Sequence, residues 1–129
     1  MDEYKLIFNI EPIVKGRPRV TRWGTYTPER TASFEKALKE MARAHWNNEP
    51  LDGPLKVRLR LICKKPKKPS KPYPRGDTDN YAKAVSDALN EVVWLDDSQI
   101  VDERTTKEYG DEGRIEITIL PLPVPLIFP

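Results

Sequence analysis

An α+β fold is predicted by three features of the chain. Two stripes of apolar residues recur at helical spacing, and about four segments alternate apolar and polar residues at period two. The 129 residues contain no internal repeat and no break that would mark a second domain. The expected architecture is one small domain over residues 1–120, with a mixed or antiparallel sheet of about four strands and two main helices. A proline-rich apolar tail follows over 121–129.

Tyr4 to Ile10 reads as the first strand, with Tyr4, Leu6, Phe8 and Ile10 on one face. Pro12, Gly16, Pro18 and Gly24 make 11–26 a loop or hairpin. Thr27 before Pro28 is a side-chain cap followed by proline at the first helical position, so a helix is expected from there to about Trp46. Its stripe is Phe34, Ala37, Leu38, Met41 and His45, which makes His45 a packing or rim residue. Lys56 to Ile62 is a strand with Val57, Leu59 and Leu61 inward and Arg58 and Arg60 outward.

Four prolines between Lys64 and Arg75 remove backbone donors and exclude a helix or a central strand. A second helix, from about Thr78 to Asn90, is signalled by Tyr81, Ala84, Val85, Ala88, Leu89 and Val92. Asp96-Asp97-Ser98 is a turn. Gln99 to Tyr109 and Arg114 to Leu120 are strands, and Gly110-Asp111-Glu112-Gly113 reads as a hairpin turn between them. Cys63, the single cysteine, is a small buried hydrophobe at a strand end.

The acidic start of the chain lacks the basic flank of a secretory leader, and no apolar run reaches the ~20 residues of a membrane span. A lone cysteine suits a reducing compartment, so a cytoplasmic location is expected. Residues 56–76 carry nine Lys/Arg and no acid, whereas 77–112 carry eleven Asp/Glu against three Lys/Arg. A basic platform beside an acidic pocket suits a polyanion with a divalent cation between them. Two adjacent solvated faces would read the same way.

The chemistry concentrates in Arg75-Gly76-Asp77-Thr78-Asp79-Asn80-Tyr81-Ala82-Lys83 and in Trp94-Leu95-Asp96-Asp97. Asp77 and Asp79 flank a helix start, and Asp97 lies on a turn from which the chain folds back. Three converging carboxylates repel unless a cation sits among them. Mg²⁺ takes oxygen ligands and is often held by a few carboxylates with water and phosphate. Lys83, one turn after Asp79, shares its face and is placed to meet charge on a phosphate. Ordinary helix capping and a surface ion pair explain the same residues more modestly, although capping needs only one aspartate.

The run Asp77-x-Asp79-Asn80-x-x-Lys83-x-x-x-Asp87-Ala88-Leu89-Asn90, then Trp94-Leu95-Asp96-Asp97-Ser98-Gln99-Ile100, resembles the signature of the RusA family of Holliday-junction resolvases. Pro12-x-x-Lys15-Gly16-Arg17-Pro18-Arg19 and Tyr26-Thr27-Pro28 resemble the opening of many members, so the likeness spans about residues 6–120. The resemblance implies a small, homodimeric, Mg²⁺-dependent endodeoxyribonuclease of bacterial or phage type that acts on branched DNA. It implies Asp77, Asp79 and Asp97 as catalytic, metal-holding acids and Lys83 as a catalytic lysine. Mn²⁺ would substitute for Mg²⁺, and neither a small-molecule cofactor nor a membrane is expected. Asp87 would orient Lys83, and Asp96 would be an auxiliary ligand.

On this reading Lys15, Arg17, Arg19 and Arg22 contact DNA phosphates, with Trp23 or Tyr26 available to stack on an unpaired base. Lys64, Lys65, Lys67, Lys68, Lys71 and Arg75 form a stiff basic strap along a DNA arm. Two other readings stay open: a nucleic-acid-binding module without turnover, and a less selective nuclease cutting flaps or single strands. The apolar tail is a candidate dimer contact.

Overall fold

The computed structural model describes residues 3–16, 19–22, 24–26 and 28–124. Its four-stranded mixed sheet uses β1 (Tyr4–Phe8), β4 (Leu55–Lys64), β5 (Ile100–Gly110) and β6 (Arg114–Pro121), in the order β1-β6-β4-β5. A separate hairpin pairs β2 (Arg19–Thr21) with β3 (Gly24–Tyr26). Two helices, α1 (Glu29–His45) and α2 (Thr78–Leu89), pack against each other, α1 also touching β1 and α2 touching β5.

The core is written in the strand alternation. Leu55, Val57, Leu59 and Leu61 of β4 meet Ile115, Ile117 and Ile119 of β6 and Leu6 and Phe8 of β1 on the buried face. The tools for the outer face are charges: Arg58 pairs with Asp102 at 3.1 Å, and Arg60 with Glu108 at 2.6 Å and Glu116 at 3.4 Å. Part of the basic run therefore cancels against part of the acidic run across the sheet, and the two are not separate surfaces. Cys63 is buried near the end of β4, as expected.

α1 begins one residue later than its sequence suggests. Pro28 is itself the N-cap residue, with φ −52° and ψ 140°, and its carbonyl accepts from Ala32 N–H at 3.0 Å. Proline suits either position because its ring fixes only φ; the extended ψ makes it the cap. Thr27 lies outside the described residues. The buried stripe is Thr31, Phe34, Leu38 and Ala42, continued by Trp46. Met41 is partly buried against the same core, and His45, though exposed, meets the Phe8 ring edge-on at 5.8 Å between centres, a rim residue as expected.

β5 and β6 do not form the expected hairpin. β4 lies between them, parallel to β5 and antiparallel to β6, and residues 111–113 pass over its end. The inward positions decide this order. β6 offers three isoleucines and belongs in the centre, whereas β5 offers Glu103, Thr105 and Lys107 and tolerates only the edge. Gly113 is needed here because a Cβ would overlap Glu11. The Glu11 carboxylate in turn accepts the Lys64 N–H at 3.1 Å. Leu122 N–H donates to Pro54 O at 2.9 Å, which ties the start of the tail to the domain; 125–129 lie outside the described residues.

Candidate active site

α2 is amphipathic, and its two faces divide the labour. Tyr81, Ala84, Val85, Ala88 and Leu89 are buried, so the opposite face presents Asp79, Lys83 and Asp87 at four-residue spacing. Asp77 is the N-cap residue with φ −72° and ψ 140°, and its carbonyl accepts from Asn80 and Tyr81 N–H at 3.1 Å each. Its carboxylate makes no capping hydrogen bond. The modest capping explanation of this aspartate therefore has no hydrogen bond behind it.

After α2 the chain reverses through Glu91, a non-glycine residue at φ 69°. Buried Trp94 anchors the reversal, its indole N–H donating to Asn90 Oδ1 at 2.9 Å. Backbone bonds from Leu51 N–H to Val93 O and from Leu95 N–H to Leu51 O fix the returning segment. A 3-10 turn then spans Asp97–Gln99. Asp96 caps it, accepting from Ser98 N–H at 3.0 Å, while the Gln99 side-chain oxygen accepts from Asp96 N–H at 2.8 Å. Asp96 is thus occupied by the turn, and Asp97 is left to face α2.

The result is an open cleft of about 390 Å³ lined by Asp79, Ala82, Lys83, Ser86, Asp97, Ile100 and Glu103. The fold brings Asp79, Lys83 and Asp97 together, as the sequence suggests, but Asp77 stands at the helix start and does not line this cleft. Glu103 is a site residue that the sequence did not disclose. Its signal was weak because it sits in a run of polar residues, and only its pairing with Val57 turns it toward the helices.

A chain of ion pairs runs behind the cleft. Lys83 Nζ lies 3.1 Å from Asp97 Oδ2 and 2.9 Å from Asp87 Oδ1. Asp87 Oδ2 lies 3.1 Å from Lys15 Nζ, which also pairs with Glu35 of α1. The hydrogen bond to Asp87 raises the Lys83 ammonium above its ordinary range; burial opposes it, and the bond to Asp97 adds to the rise. For Asp87 burial acts upward, yet the bonds from Lys83 and Lys15 together hold the carboxyl below the usual range. Burial pulls Lys15 down, and its bonds to Glu35 and Asp87 outweigh it and leave that ammonium raised.

Lys15, expected as a phosphate contact, is therefore partly buried and already paired with two carboxylates. Its backbone N–H donates to Asn80 O at 2.9 Å, and the next residue, Gly16, donates to Thr31 Oγ1 at 2.9 Å, so this loop staples both helices. Arg17 and Trp23 lie outside the described residues, and only the backbones of Arg19 and Tyr26 are described. Arg22 is exposed beside the β2–β3 turn, and Lys64, Lys65, Lys67, Lys68, Lys71 and Arg75 are exposed along the strap. Lys65 and Lys71 line a cleft of about 630 Å³ beside Tyr109, and Lys64, Lys65 and Lys67 line another with Arg30.

Among the described residues, no three Asp, Glu, His or Cys side chains stand close enough to cage an ion alone. The donors on the cleft, Asp79, Asp97 and Glu103, are nevertheless all hard carboxylate oxygens, the kind Mg²⁺ prefers. Mg²⁺ is commonly held by one or two carboxylates with water and phosphate completing the shell, so the residues present fit that ion.

The family model described as endodeoxyribonuclease RusA matches residues 9–120. The uncharacterized protein YqaN of Bacillus subtilis (strain 168) is 31% identical, the match covering 92% of this chain and 96% of the relative. The crossover junction endodeoxyribonuclease RusA of Escherichia coli (strain K12) is 42% identical over 65 residues, covering 49% of this chain and 50% of that protein. The protein of the same description from Enterobacteria phage 82 is also 42% identical over 65 residues.

Proposed function

Because the chain belongs to the RusA family of endodeoxyribonucleases, we propose that it resolves four-way DNA junctions by paired, Mg²⁺-dependent nicks, working as a homodimer. The observation that carries this reading is the single cleft shared by Asp79, Asp97 and Lys83, beside an exposed basic strap. Asp79 and Asp97, which share the cleft, would hold Mg²⁺, or Mn²⁺ in its place, and Asp77 at the start of α2 would complete the set. When bound, the ion supplies an activated water and charge stabilisation at the phosphate. Lys83 meets the negative charge that grows on the phosphate, and Asp87 keeps the lysine aimed by pairing with it from behind. Glu103, on the far wall, is the acceptor for a proton leaving the attacking water.

The strap lysines bind backbone phosphates without reading bases, so selection rests on the branched shape of the DNA. Two copies related by a two-fold axis match the near two-fold symmetry of a four-way junction and cut opposing strands.

The test compares a synthetic four-way junction, a linear duplex and a single strand, each with Mg²⁺ or EDTA. Asp77→Asn, Asp79→Asn and Asp97→Asn are each expected to lose most junction cleavage while junction binding stays intact or tightens, since each swap removes a negative charge at constant size. Near wild-type cleavage by Asp79→Asn would refute the site. Binding without cleavage by the wild type in Mg²⁺ would mark a binding module, and equal cutting of all three substrates an unselective nuclease.

A further inference from the structure

Lys107 sits on the helix-facing side of β5, in register with Leu61. Its ammonium donates to the carbonyl oxygens of Pro74 at 2.7 Å and Gly76 at 2.6 Å. It also lies 5.4 Å from the centre of the Tyr73 ring. One side chain thereby grips the last turn of the strap, immediately before Asp77.

Other contacts there are side-chain packing: Pro74 is buried, and Gly76 lies against Val14 and Tyr81. Residues 65–77 contain no helix or strand, so no ladder of backbone bonds fixes the approach to Asp77. Hydrogen bonds from a charged donor are roughly twice as strong as neutral ones, and these two are half-buried. Gly76 is pressed on its other contacts, because a Cβ there would overlap Val14 and the Tyr81 ring. The peptide that delivers Asp77 is thus packed and tethered at the same residue.

We infer that Lys107 is a positioning residue for the metal site: it sets the direction of the Asp77 carboxylate by holding the backbone of Pro74 and Gly76. The inference rests on the reading of Asp77 as a metal-holding acid. Lys107 touches neither phosphate nor ion in this role. It acts as outer partners of metal ligands do, through the geometry of the ligand they support.

The experiment titrates Mn²⁺ into the full chain without DNA, following free ion by electron paramagnetic resonance, for wild type, Asp77→Asn and Lys107→Met. Methionine keeps most of the stem and removes the donors. Wild type is expected to bind, Asp77→Asn to bind poorly, and Lys107→Met to bind about tenfold or more weakly. Amide hydrogen exchange should rise in Lys107→Met at Asn80 and Tyr81, whose N–H groups rest on Asp77 O, and stay unchanged in β4 and β6. If Lys107→Met lacks a cooperative unfolding transition, Lys107→Gln, which keeps one short donor, takes its place.

The outcomes separate cleanly. A wild type that binds no Mn²⁺, or an Asp77→Asn variant that binds as wild type does, removes the reading of Asp77 and this inference with it. Weak binding by Asp77→Asn beside wild-type binding by the Lys107 variant overturns the role of Lys107 alone. Exchange that rises uniformly through the sheet also overturns it, because the lysine would then serve general stability.

Discussion

β5 and β6 flank the same strand, yet their inward positions carry opposite kinds of side chain. β6 turns Ile115, Ile117 and Ile119 into the core, none more than 1% exposed. β5 turns Glu103, Thr105, Lys107 and Tyr109 toward the same side, opposite Val57, Leu59, Leu61 and Cys63. The difference lies in what covers them. β6 is central, between β1 and β4, whereas β5 is an edge whose inner face opens on the cleft at Glu103 and is covered by the strap at Lys107. Glu103 stays exposed to water, and the part-buried Lys107 ammonium is satisfied by two carbonyl oxygens, so neither carries an uncompensated desolvation penalty. One strand of the pair holds the fold together, and the other lends Glu103 to the cleft and Lys107 to the strap.

The comparison breaks if the two strands respond alike to truncation. The largest effect is expected from Ile117→Ala, which should cost about 2–5 kcal/mol in unfolding free energy through lost transfer and a residual cavity. Denaturant unfolding measures it, and cleavage per folded molecule should be little changed. A cost below about 1 kcal/mol would deny β6 its structural role.

Glu103→Gln should reverse that pattern. Stability is expected to stay within about 0.5 kcal/mol, as for an exposed substitution. Junction cleavage should fall at least tenfold, equivalent to about 1.4 kcal/mol of barrier. Unchanged cleavage would leave Glu103 a bystander on the wall of the cleft.

A smaller effect, visible only against pH, sharpens the boundary between fold and site. Asp87 has a folded pKa held below its ordinary value, chiefly by Lys83 and Lys15 against the opposing effect of burial. Its stabilising contribution is therefore present above the ordinary carboxylate pKa of about 3.9 and is lost as pH falls through the lower folded value. The stability gap between wild type and Asp87→Asn should be widest above about pH 5 and close on further acidification. Denaturation midpoints across that range check it. A gap that does not vary with pH would mean that the carboxylate charge contributes nothing.

The same contrast explains what could be read from the sequence. The α2 stripe Tyr81, Ala84, Val85, Ala88 and Leu89 is buried at every position, because a core-facing helix must repeat at its own period, and Val92 is buried in the turn beyond it. The alternation of β4 and β6 was equally plain. β5 was legible as a strand but not as a wall of the cleft, since Glu103, Thr105 and Lys107 look like solvent-facing residues until Val57, Leu59 and Leu61 are placed beside them. Gly110 to Gly113 has the local chemistry of a hairpin, but local chemistry makes a reversal and does not choose the pairing partner.

Of the site, Asp79, Lys83 and Asp97 were within reach because helical spacing and a returning turn bring them close. The ion pairs of Lys15 could not be read because Glu35 and Asp87, its partners, lie 20 and 72 residues away and only tertiary packing joins them. The neighbouring Asp96 and Asp97 are identical in sequence, and the difference between them is a capping box that only the folded turn reveals.

Cys63 offers a practical consequence. It is the chain's single cysteine, 5% exposed, and burial pushes its thiol up. Thiol-directed labels react with the exposed thiolate, so the native protein is nearly silent toward maleimides. A cysteine introduced on the surface would consequently take the label alone, with no need to delete Cys63 from the core. Ser70, exposed on the strap across a cleft from Gly110, is a natural place for such a reporter. A fluorophore there would test whether the strap meets a DNA arm, with Cys63 left in place.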